Sequence, residues 1–205
     1  MKKILFVLIF PLYSFAQFTY VPDDNFEQAL INLGVDSLID DYVGTAGIDT
    51  ITYLYISNRG ISDLTGIEDF ISLRGLFCYS NQLTFLDLSN NSQLFEVSCG
   101  SNLLTSLDIR NGNTQGLWYF ISTNNPSLTC IDVDDVLWAD YNWATDTWTI
   151  FSTNCSVSNL EENNSTVNRL LKVVDIYGRS IRPKPNIPLF YIFEDGRVEK
   201  KIVIK

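Results

Sequence analysis

The sequence predicts a short leucine-rich-repeat solenoid, a β-rich fold of about four repeats between two caps, followed by a small β-hairpin or β-sandwich-like C-terminal segment. Three observations support this prediction. The middle of the chain repeats at about 21 residues, a period typical of leucine-rich repeats. An asparagine recurs at one position of the repeat. Helical periodicity precedes the repeats, and a tryptophan-rich segment between two cysteines follows them, as expected for caps.

Residues 1–16 have the three-part pattern of a secretory signal peptide. Two lysines follow the initial methionine, residues 4–12 are apolar, and Ser14 and Ala16 place small residues before a cut at Gln17. The apolar run is too short to span a bilayer, which argues against a membrane anchor. We therefore expect export and no transmembrane segment in the mature chain.

Residues 17–50 are predicted to form the N-terminal cap. Asp24 is expected to cap a helix, with Glu27 three residues later completing a capping box. Gly34 is a helix stop signal. One face of this helix is predicted to be apolar, formed by Phe26, Ala29, Leu30 and Leu33.

The repeats are predicted to span residues 51–133, with units that begin at Ile51, Leu73, Leu94 and Leu117. The two middle units fit the pattern L-x-x-L-x-C-x-x-N-x-L-x-x-L-D-L, whereas the first unit lacks the Leu-Asp-Leu end. No single repeat can bury its apolar side alone, so neighbouring repeats must stack around one core. A β-sandwich would explain the alternating apolar residues but not the asparagine register.

An asparagine and a cysteine each recur at a fixed position within the units. The asparagines are expected to turn the chain and to align in a ladder, through Asn58, Asn81, Asn102 and Asn125. Cys78 and Cys99 replace an inward leucine, and we expect them to be free thiols in the core. A disulfide between them is disfavoured because stacked side chains lie about 4.8 Å apart, which is wider than a bridge prefers.

Residues 134–155 are predicted to form the C-terminal cap. A Cys130–Cys155 bridge would close a loop of about 25 residues and stabilise the fold by about 3 kcal/mol in the entropy model. Three tryptophans in the segment are expected to cover the end of the core, although a sugar-binding platform is the alternative. They are Trp138, Trp143 and Trp148.

A polar linker is predicted over residues 156–169, and residues 170–205 are strand-like. We expect a strand, a glycine turn and a second strand in the first part of this tail. The last part is predicted to be a β-hairpin with Asp195 and Gly196 in its turn.

The tail resembles the C-terminal sorting signal of type IX secretion in Bacteroidota, through residues 175–179, 185–192 and 195–204. The body is similar to the leucine-rich-repeat surface proteins of the same bacteria, through residues 21–27, 64–68 and 128–136. The resemblance implies passage through the periplasm, recognition by the type IX secretion machinery, and release or attachment at the cell surface after loss of the tail. The sorting residues it implies are Asp175, Gly178, Arg179, Asp195, Gly196, Lys200 and Lys201.

Composition limits the function classes. Residues 17–155 carry three basic and eighteen acidic side chains, so this part of the chain repels nucleic acid and anionic membranes. The chain has no histidine, which removes Ser-His-Asp and Cys-His catalysis, His-ligated zinc and the commonest general base. We predict no enzymatic activity and no cofactor, and a carboxylate-dependent hydrolase, or an accessory subunit of one, is the alternative.

The predicted binding surface is the face of the repeat strands that points outwards. Exposed aromatic side chains are common anchors for protein or glycan partners, although these rings could also pack only against one another. The partner, an unknown protein or glycan, is not specified by the sequence. The site residues that we predict on this face are Tyr53, Tyr55, Phe77, Tyr79, Glu96, Tyr119 and Ile121.

One aspartate per repeat forms a second predicted row, through Asp87, Asp108 and Asp132. Stacked like charges are unfavourable unless they are screened or bridged, so calcium is conceivable there. Each repeat supplies only one carboxylate, and a solvated row without a metal is the prediction.

Overall fold

The chain is a leucine-rich-repeat solenoid. The computed structural model describes residues 17–158, 170–181, 186–193 and 196–202. The predicted signal peptide, most of the predicted linker and the turn residue Asp195 lie outside the described residues. Within the described residues, no helix combines the length and the hydropathy that crossing a membrane requires.

The N-terminal cap joins a helix to a two-stranded antiparallel sheet. Strand β1 (Phe18–Tyr20) pairs with β2 (Tyr42–Gly44), and helix α1 (Asp24–Asn32) lies between them in the chain. A short helix, α2 (Thr45–Ile48), follows β2. The buried side of α1 carries Phe26, Ala29 and Leu30, as predicted.

Three details of this cap differ from the prediction. The N-cap residue is Asp23 rather than Asp24, because Asp23 has an extended backbone and its carboxylate accepts hydrogen bonds from the N–H groups of Asn25 and Phe26. Glu27 forms no capping box, since its carboxylate accepts the N–H groups of Asp40 and Asp41. Leu33 lies beyond the last helical residue and is 51% exposed.

The repeats form two parallel sheets whose strands alternate along the chain. The first sheet has the order β3 (Tyr53–Tyr55), β4 (Gly75–Phe77), β6 (Glu96–Ser98) and β8 (Tyr119–Ile121). The second has the order β5 (Phe85–Asp87), β7 (Ser106–Asp108), β9 (Cys130–Asp132) and β10 (Ile150–Ser152). The Leu-x-Leu end of the repeat builds this second sheet, which the sequence analysis did not predict as strands.

The segment predicted as the C-terminal cap adds a fifth turn to the solenoid. It contains helix α3 (Val136–Asn142), and Ala144 then makes an isolated parallel bridge to Ile121. Strand β10 pairs in parallel with β9. The segment therefore ends the solenoid by continuing both sheets for one more turn.

Of the three tryptophans in this segment, Trp143 covers the core as predicted. Its ring stacks on Phe120 at 4.5 Å between centroids, and its indole N–H donates to the carbonyl of Leu117 at 2.9 Å. Trp148 does not cover the core, because it lies on a turn between α3 and β10 and is 52% exposed.

The four cysteines have the predicted states. Cys78 and Cys99 are free and fully buried among the core leucines, and burial raises the pKa of Cys99 to about 12. Cys130 and Cys155 form a disulfide with a Cα–Cα distance of 5.8 Å. The bridge ties β9 to α4 (Cys155–Ser158), so the first three residues of the predicted linker are helical.

Three of the four predicted asparagines form the ladder. The Asn102 side-chain amide donates to the carbonyls of Cys78 and Cys99, both at 3.0 Å, while its oxygen accepts the N–H of Leu83. Asn81 and Asn125 repeat this arrangement in the neighbouring turns. Each amide thus links its own turn to the preceding one and satisfies buried backbone groups.

The prediction for Asn58 was wrong. Asn58 occupies the position just before the ladder, where the backbone is left-handed in every repeat, and it is exposed. The equivalent residues Ser80, Ser101 and Asn124 also have positive φ angles, between 55° and 62°. Asparagine tolerates this conformation well, which explains its presence there without a ladder bond.

The C-terminal segment is a three-stranded antiparallel sheet of order β11 (Leu170–Val174), β12 (Pro188–Phe193) and β13 (Val198–Ile202). The predicted hairpin is β12–β13. The second strand expected after the glycine turn is only an isolated bridge between Val174 and Ser180, because β12 takes the place beside β11. Val173 belongs to a small core that also contacts Leu137 of α3.

Candidate functional site

The predicted binding residues lie together on the outer side of the first sheet, which we call the aromatic strand face. Four of them, Tyr53, Tyr55, Tyr79 and Tyr119, are exposed, and Tyr55 is the most open at 62%. The other three, Phe77, Glu96 and Ile121, are half-buried. Side chains alternate along each strand, so Leu54, Leu76, Val97 and Phe120 point into the core from the same strands.

The rings on this face stack on one another. Tyr55 and Phe77 are register partners, and their ring centroids are 4.8 Å apart with an interplanar angle of 12°. Tyr53 stacks at 6.3 Å on Tyr55. The ring of Tyr53 also lies against Gly75, where a Cβ would come within 2.4 Å of its Cδ1 atom. Gly75 is therefore required for the Tyr53 ring to lie flat on the sheet.

A second aromatic pair, which was not predicted from the sequence, lies beside this face. Phe95 and Trp118 each precede a strand of the first sheet, their ring centroids are 5.4 Å apart, and Trp118 is 61% exposed. Both residues between the two apolar positions of the L-x-x-L pattern point outwards. Strict alternation of side chains along a strand predicts that only one of them does. The backbone bond from Trp118 N–H to the Phe95 carbonyl holds the two positions side by side.

A cavity of about 310 Å³ joins the two aromatic groups. Tyr53 lines one part of it and Phe95 another, with Arg74 supplying a positive charge. Its remaining lining residues are Gln93, Asn113 and Gly116. Apolar rings beside a few hydrogen-bonding groups are the usual composition of a small-ligand or side-chain pocket.

The aspartate row lies on the second sheet, in register from Asp87 to Asp108 to Asp132. Arg110 bridges two of its members, by an ion pair to Asp108 and a contact of 3.7 Å to Asp132. Burial favours the neutral form of Asp108, but hydrogen bonds from Arg110 outweigh it and hold the pKa below its usual value. The exposed guanidinium of Arg110 thus partly neutralises the aspartate row, the candidate calcium site.

Another acidic cluster lies in the N-terminal cap. Carboxylate oxygens of Asp24, Glu27 and Asp41 lie within 4.8 Å of one another and could approach a cation. Both oxygens of Glu27 already accept backbone N–H groups, so the cluster is explained by the packing of the cap.

The predicted sorting residues in the first part of the tail form one tight turn. The Asp175 carboxylate accepts the N–H groups of Tyr177 and Arg179, and the Arg179 side chain pairs with it at 2.7 Å. Gly178 has a φ of 76°, which favours glycine.

The sorting residues at the end of the tail are only partly described. Gly196 has a positive φ at the hairpin turn, and Lys201 pairs with Glu199 at 3.1 Å. Lys200 lies exposed on β13. Asp195 lies outside the described residues.

Comparison with known proteins identifies one similar sequence among characterised proteins. Over 73 residues the chain is 36% identical to Internalin J of Listeria monocytogenes serotype 4b (strain F2365). The match covers 36% of this chain and 8% of that protein, so the chain spans a small part of the length of this relative. No protein-family model matches the chain.

Solved structures with similar architecture include the functional domain of InlJ from Listeria monocytogenes, which includes a cysteine ladder. It is 29% identical, with a TM-score of 0.47, and covers 68% of this chain and 29% of that one. Internalin C2 of the same species gives a TM-score of 0.39 at 19% identity, covering 72% of this chain and 96% of that one. The CBM51-2 and INT domains of Clostridium perfringens ZmpB give 0.38 at 16% identity, covering 90% and 35%.

Proposed function

We propose that the protein is a secreted or cell-surface binding module that recognises a protein or a glycan through the aromatic strand face. The observation that carries this proposal is the stacked run of Tyr53, Tyr55 and Phe77, which leaves ring surface open to solvent on a rigid sheet. Exposed aromatic clusters of this kind mark interaction sites more often than ordinary surface. The sequence similarity to Internalin J, a leucine-rich-repeat protein, supports a repeat-based interaction role.

We expect the triple substitution of Tyr55, Phe77 and Tyr79 by alanine to abolish ligand binding on a glycan array and on an array of surface proteins. The substitution removes three of the rings on this face, and it leaves the inward core residues in place. Thermal unfolding of the variant should remain cooperative, which separates loss of binding from loss of fold.

The cap offers a matched control for this variant. Phe18, Tyr20 and Tyr42 are also one phenylalanine and two tyrosines, all exposed, on the β1–β2 sheet. Their replacement by alanine should leave binding unchanged. Equal loss of binding in both variants, or none in the first, would move the site away from the aromatic strand face.

The hydrolase alternative receives less support. It requires two facing acids in a cleft, one of them held protonated. The most regular acidic group, the aspartate row, instead lies across one sheet with Arg110 paired to Asp108 and Asp132. Turnover of a polysaccharide by the purified protein, with no retained ligand, would favour the hydrolase over the binding module.

Export is part of the proposal. We infer that residues 1–16 direct the chain to the periplasm and that residues 170–205 are a type IX sorting segment of a Bacteroidota protein. The tight turn around Asp175 and the hairpin β12–β13 give this segment a folded shape that secretion machinery can recognise. The linker over residues 156–169 separates it from the solenoid in sequence.

Deletion of residues 170–205 should trap the protein in the periplasm of a type IX-secreting host, because the solenoid alone lacks the proposed sorting signal. Cell fractionation and surface proteolysis would measure this. As a control, the same segment fused to a periplasmic reporter should carry the reporter to the surface. Normal surface display of the truncated chain would refute the assignment.

A further inference from the structure

The second sheet has an open edge at β5. The first repeat lacks the Leu-Asp-Leu end and supplies no strand there, so β5 ends the sheet in the described part of the chain. In the corresponding segment, residues 62–68, carboxylates accept four of the backbone N–H groups. Asp63 accepts the N–H of Thr65, and Glu68 accepts the N–H of Gly66.

The backbone of β5 presents hydrogen-bonding groups to this edge. The Leu88 N–H donates to the carbonyl of Asp108, so Leu88 and, by alternation, Leu86 point their backbone groups towards β7. The N–H and C=O groups of Phe85 and Asp87 therefore point the other way. No backbone hydrogen bond joins these two residues to residues 62–68 among the described residues.

A groove with an accessible volume of about 250 Å³ lies beside this edge. Phe85, Leu86 and Asp87 line it from the strand, and residues 63–65, 67 and 68 line it from the other side. Phe85 is 56% exposed and supplies an apolar contact. The groove is lined by three carboxylates and, in the described part of the chain, by no basic side chain, so its charge favours a cationic occupant. These acids are Asp63, Glu68 and Asp87.

We propose that this groove binds an extended, lysine- or arginine-containing peptide segment of a partner protein, which pairs with β5 as an additional strand. Main-chain hydrogen bonds to Phe85 and Asp87 would provide affinity, and the three carboxylates would select basic side chains. The surface belongs to the second sheet and is separate from the aromatic strand face. Occupation of the groove would also protect an edge that is otherwise open to uncontrolled pairing.

The test is fluorescence anisotropy with a labelled peptide of alternating lysine and threonine, titrated with the mature protein at low salt. We expect saturable binding that weakens as salt increases, because the charges are exposed to solvent. A peptide of alternating glutamate and threonine should not bind. A lysine–threonine peptide with every second backbone nitrogen methylated should bind at least about tenfold more weakly, since it keeps the charges but loses the strand pairing.

Two protein variants distinguish peptide binding in the groove from non-specific attraction of the peptide to the acidic protein. The D63N/E68Q variant keeps the oxygens that accept turn N–H groups but removes two charges, and it should weaken binding about tenfold. The D24N/D40N variant removes two charges from the cap, and the side-chain amide oxygen introduced at position 40 can still accept the Tyr42 N–H that Asp40 accepts. It should bind like the wild type.

The aromatic-face variant described above should also bind the peptide normally, so failure of the proposed function does not affect this result. Equal affinity for the methylated and unmethylated peptides would overturn the strand-pairing proposal. Equal weakening by both charge variants, or no binding at all, would overturn it as well. Self-association of the protein through β5 in place of peptide binding would assign the edge to a second copy and refute the peptide partner.

Discussion

Replacing Asn102 with alanine should lower the free energy of unfolding by about 3 kcal/mol. The side chain of Asn102 is 3% exposed. Its oxygen accepts the Leu83 N–H, and its amide donates to the carbonyls of Cys78 and Cys99. Alanine leaves the buried Leu83 N–H without this partner, which is costly because water does not reach it. The carbonyls of Cys78 and Cys99 each lose one of two donors, since the amides of Asn81 and Asn125 still donate to them. Urea denaturation followed by circular dichroism would measure the change.

The exposed Asn32 at the end of α1 provides the control for this substitution. Its side-chain oxygen accepts a surface hydrogen bond from Gln28 at 3.3 Å, so Asn32→Ala should change stability by less than about 0.5 kcal/mol. A loss of similar size in both variants would show that the ladder contributes no special stability. Asn125→Ala, which removes the equivalent residue of the next turn, should resemble Asn102→Ala.

Asp23→Ala should destabilise the protein by about 3 kcal/mol, because this carboxylate joins the N-terminal cap to the first repeat. One oxygen accepts the N–H groups of Asn25 and Phe26 at the start of α1. The other accepts the Ser62 N–H and hydroxyl and the Asp63 N–H. The substitution therefore removes, in one step, a helix cap and a set of hydrogen bonds between the cap and the first repeat.

The same residue gives the fold a pH dependence with a defined sign. Burial favours the neutral form of Asp23, but the hydrogen bonds from Ser62, Phe26 and Asp63 outweigh it and lower the pKa from 3.8. Stability from this group is complete above the unfolded pKa and is lost as the pH falls through the lowered folded pKa.

Denaturation curves at pH 6 and at successively lower pH values would test this sign. The wild type should lose stability on acidification, and the loss should be smaller in Asp23→Ala, which has already lost the contribution. An identical acid-induced loss in both proteins would contradict the assignment to Asp23.

The repeat fold was predictable because its determinants are periodic. Leu76 and Val97, or Cys78 and Cys99, recur at fixed offsets, and the stacked core follows from them directly. The second sheet was harder to predict, since its strands have three residues each and three of the four end in an aspartate, a residue that is depleted in strands. Stacking on the neighbouring repeat overrides that preference.

Errors at single residues came from adjacent residues of the same type. Asp23 and Asp24 are both good caps, and the structure has Asp23 in that role, with its carboxylate also in contact with Ser62. Asn124 and Asn125 show the same ambiguity for the ladder, and it led to the wrong placement of Asn58. These choices depend on contacts between residues that are distant in the chain.

The aromatic strand face was only partly predictable. Strand alternation correctly places Tyr55 and Phe77 outwards, whereas Phe95 and Trp118 precede their strands and require the three-dimensional turn to bring them alongside. The β5 groove follows from a missing motif in the first repeat. The missing Leu-Asp-Leu motif is visible in the sequence. It indicates an open sheet edge only once the second sheet is known to exist.

Asp146 marks the end of the asparagine ladder. Its carboxylate accepts the N–H groups of Asn124 and Asn125 from the fourth turn. A carboxylate has no amide hydrogens, so it cannot donate to the carbonyls of its own and the preceding turn as the side chain of Asn102 does. A unit inserted by gene duplication upstream of Asp146 would therefore continue the run of amide donors, whereas a unit added after the fifth turn would be separated from that run by a carboxylate.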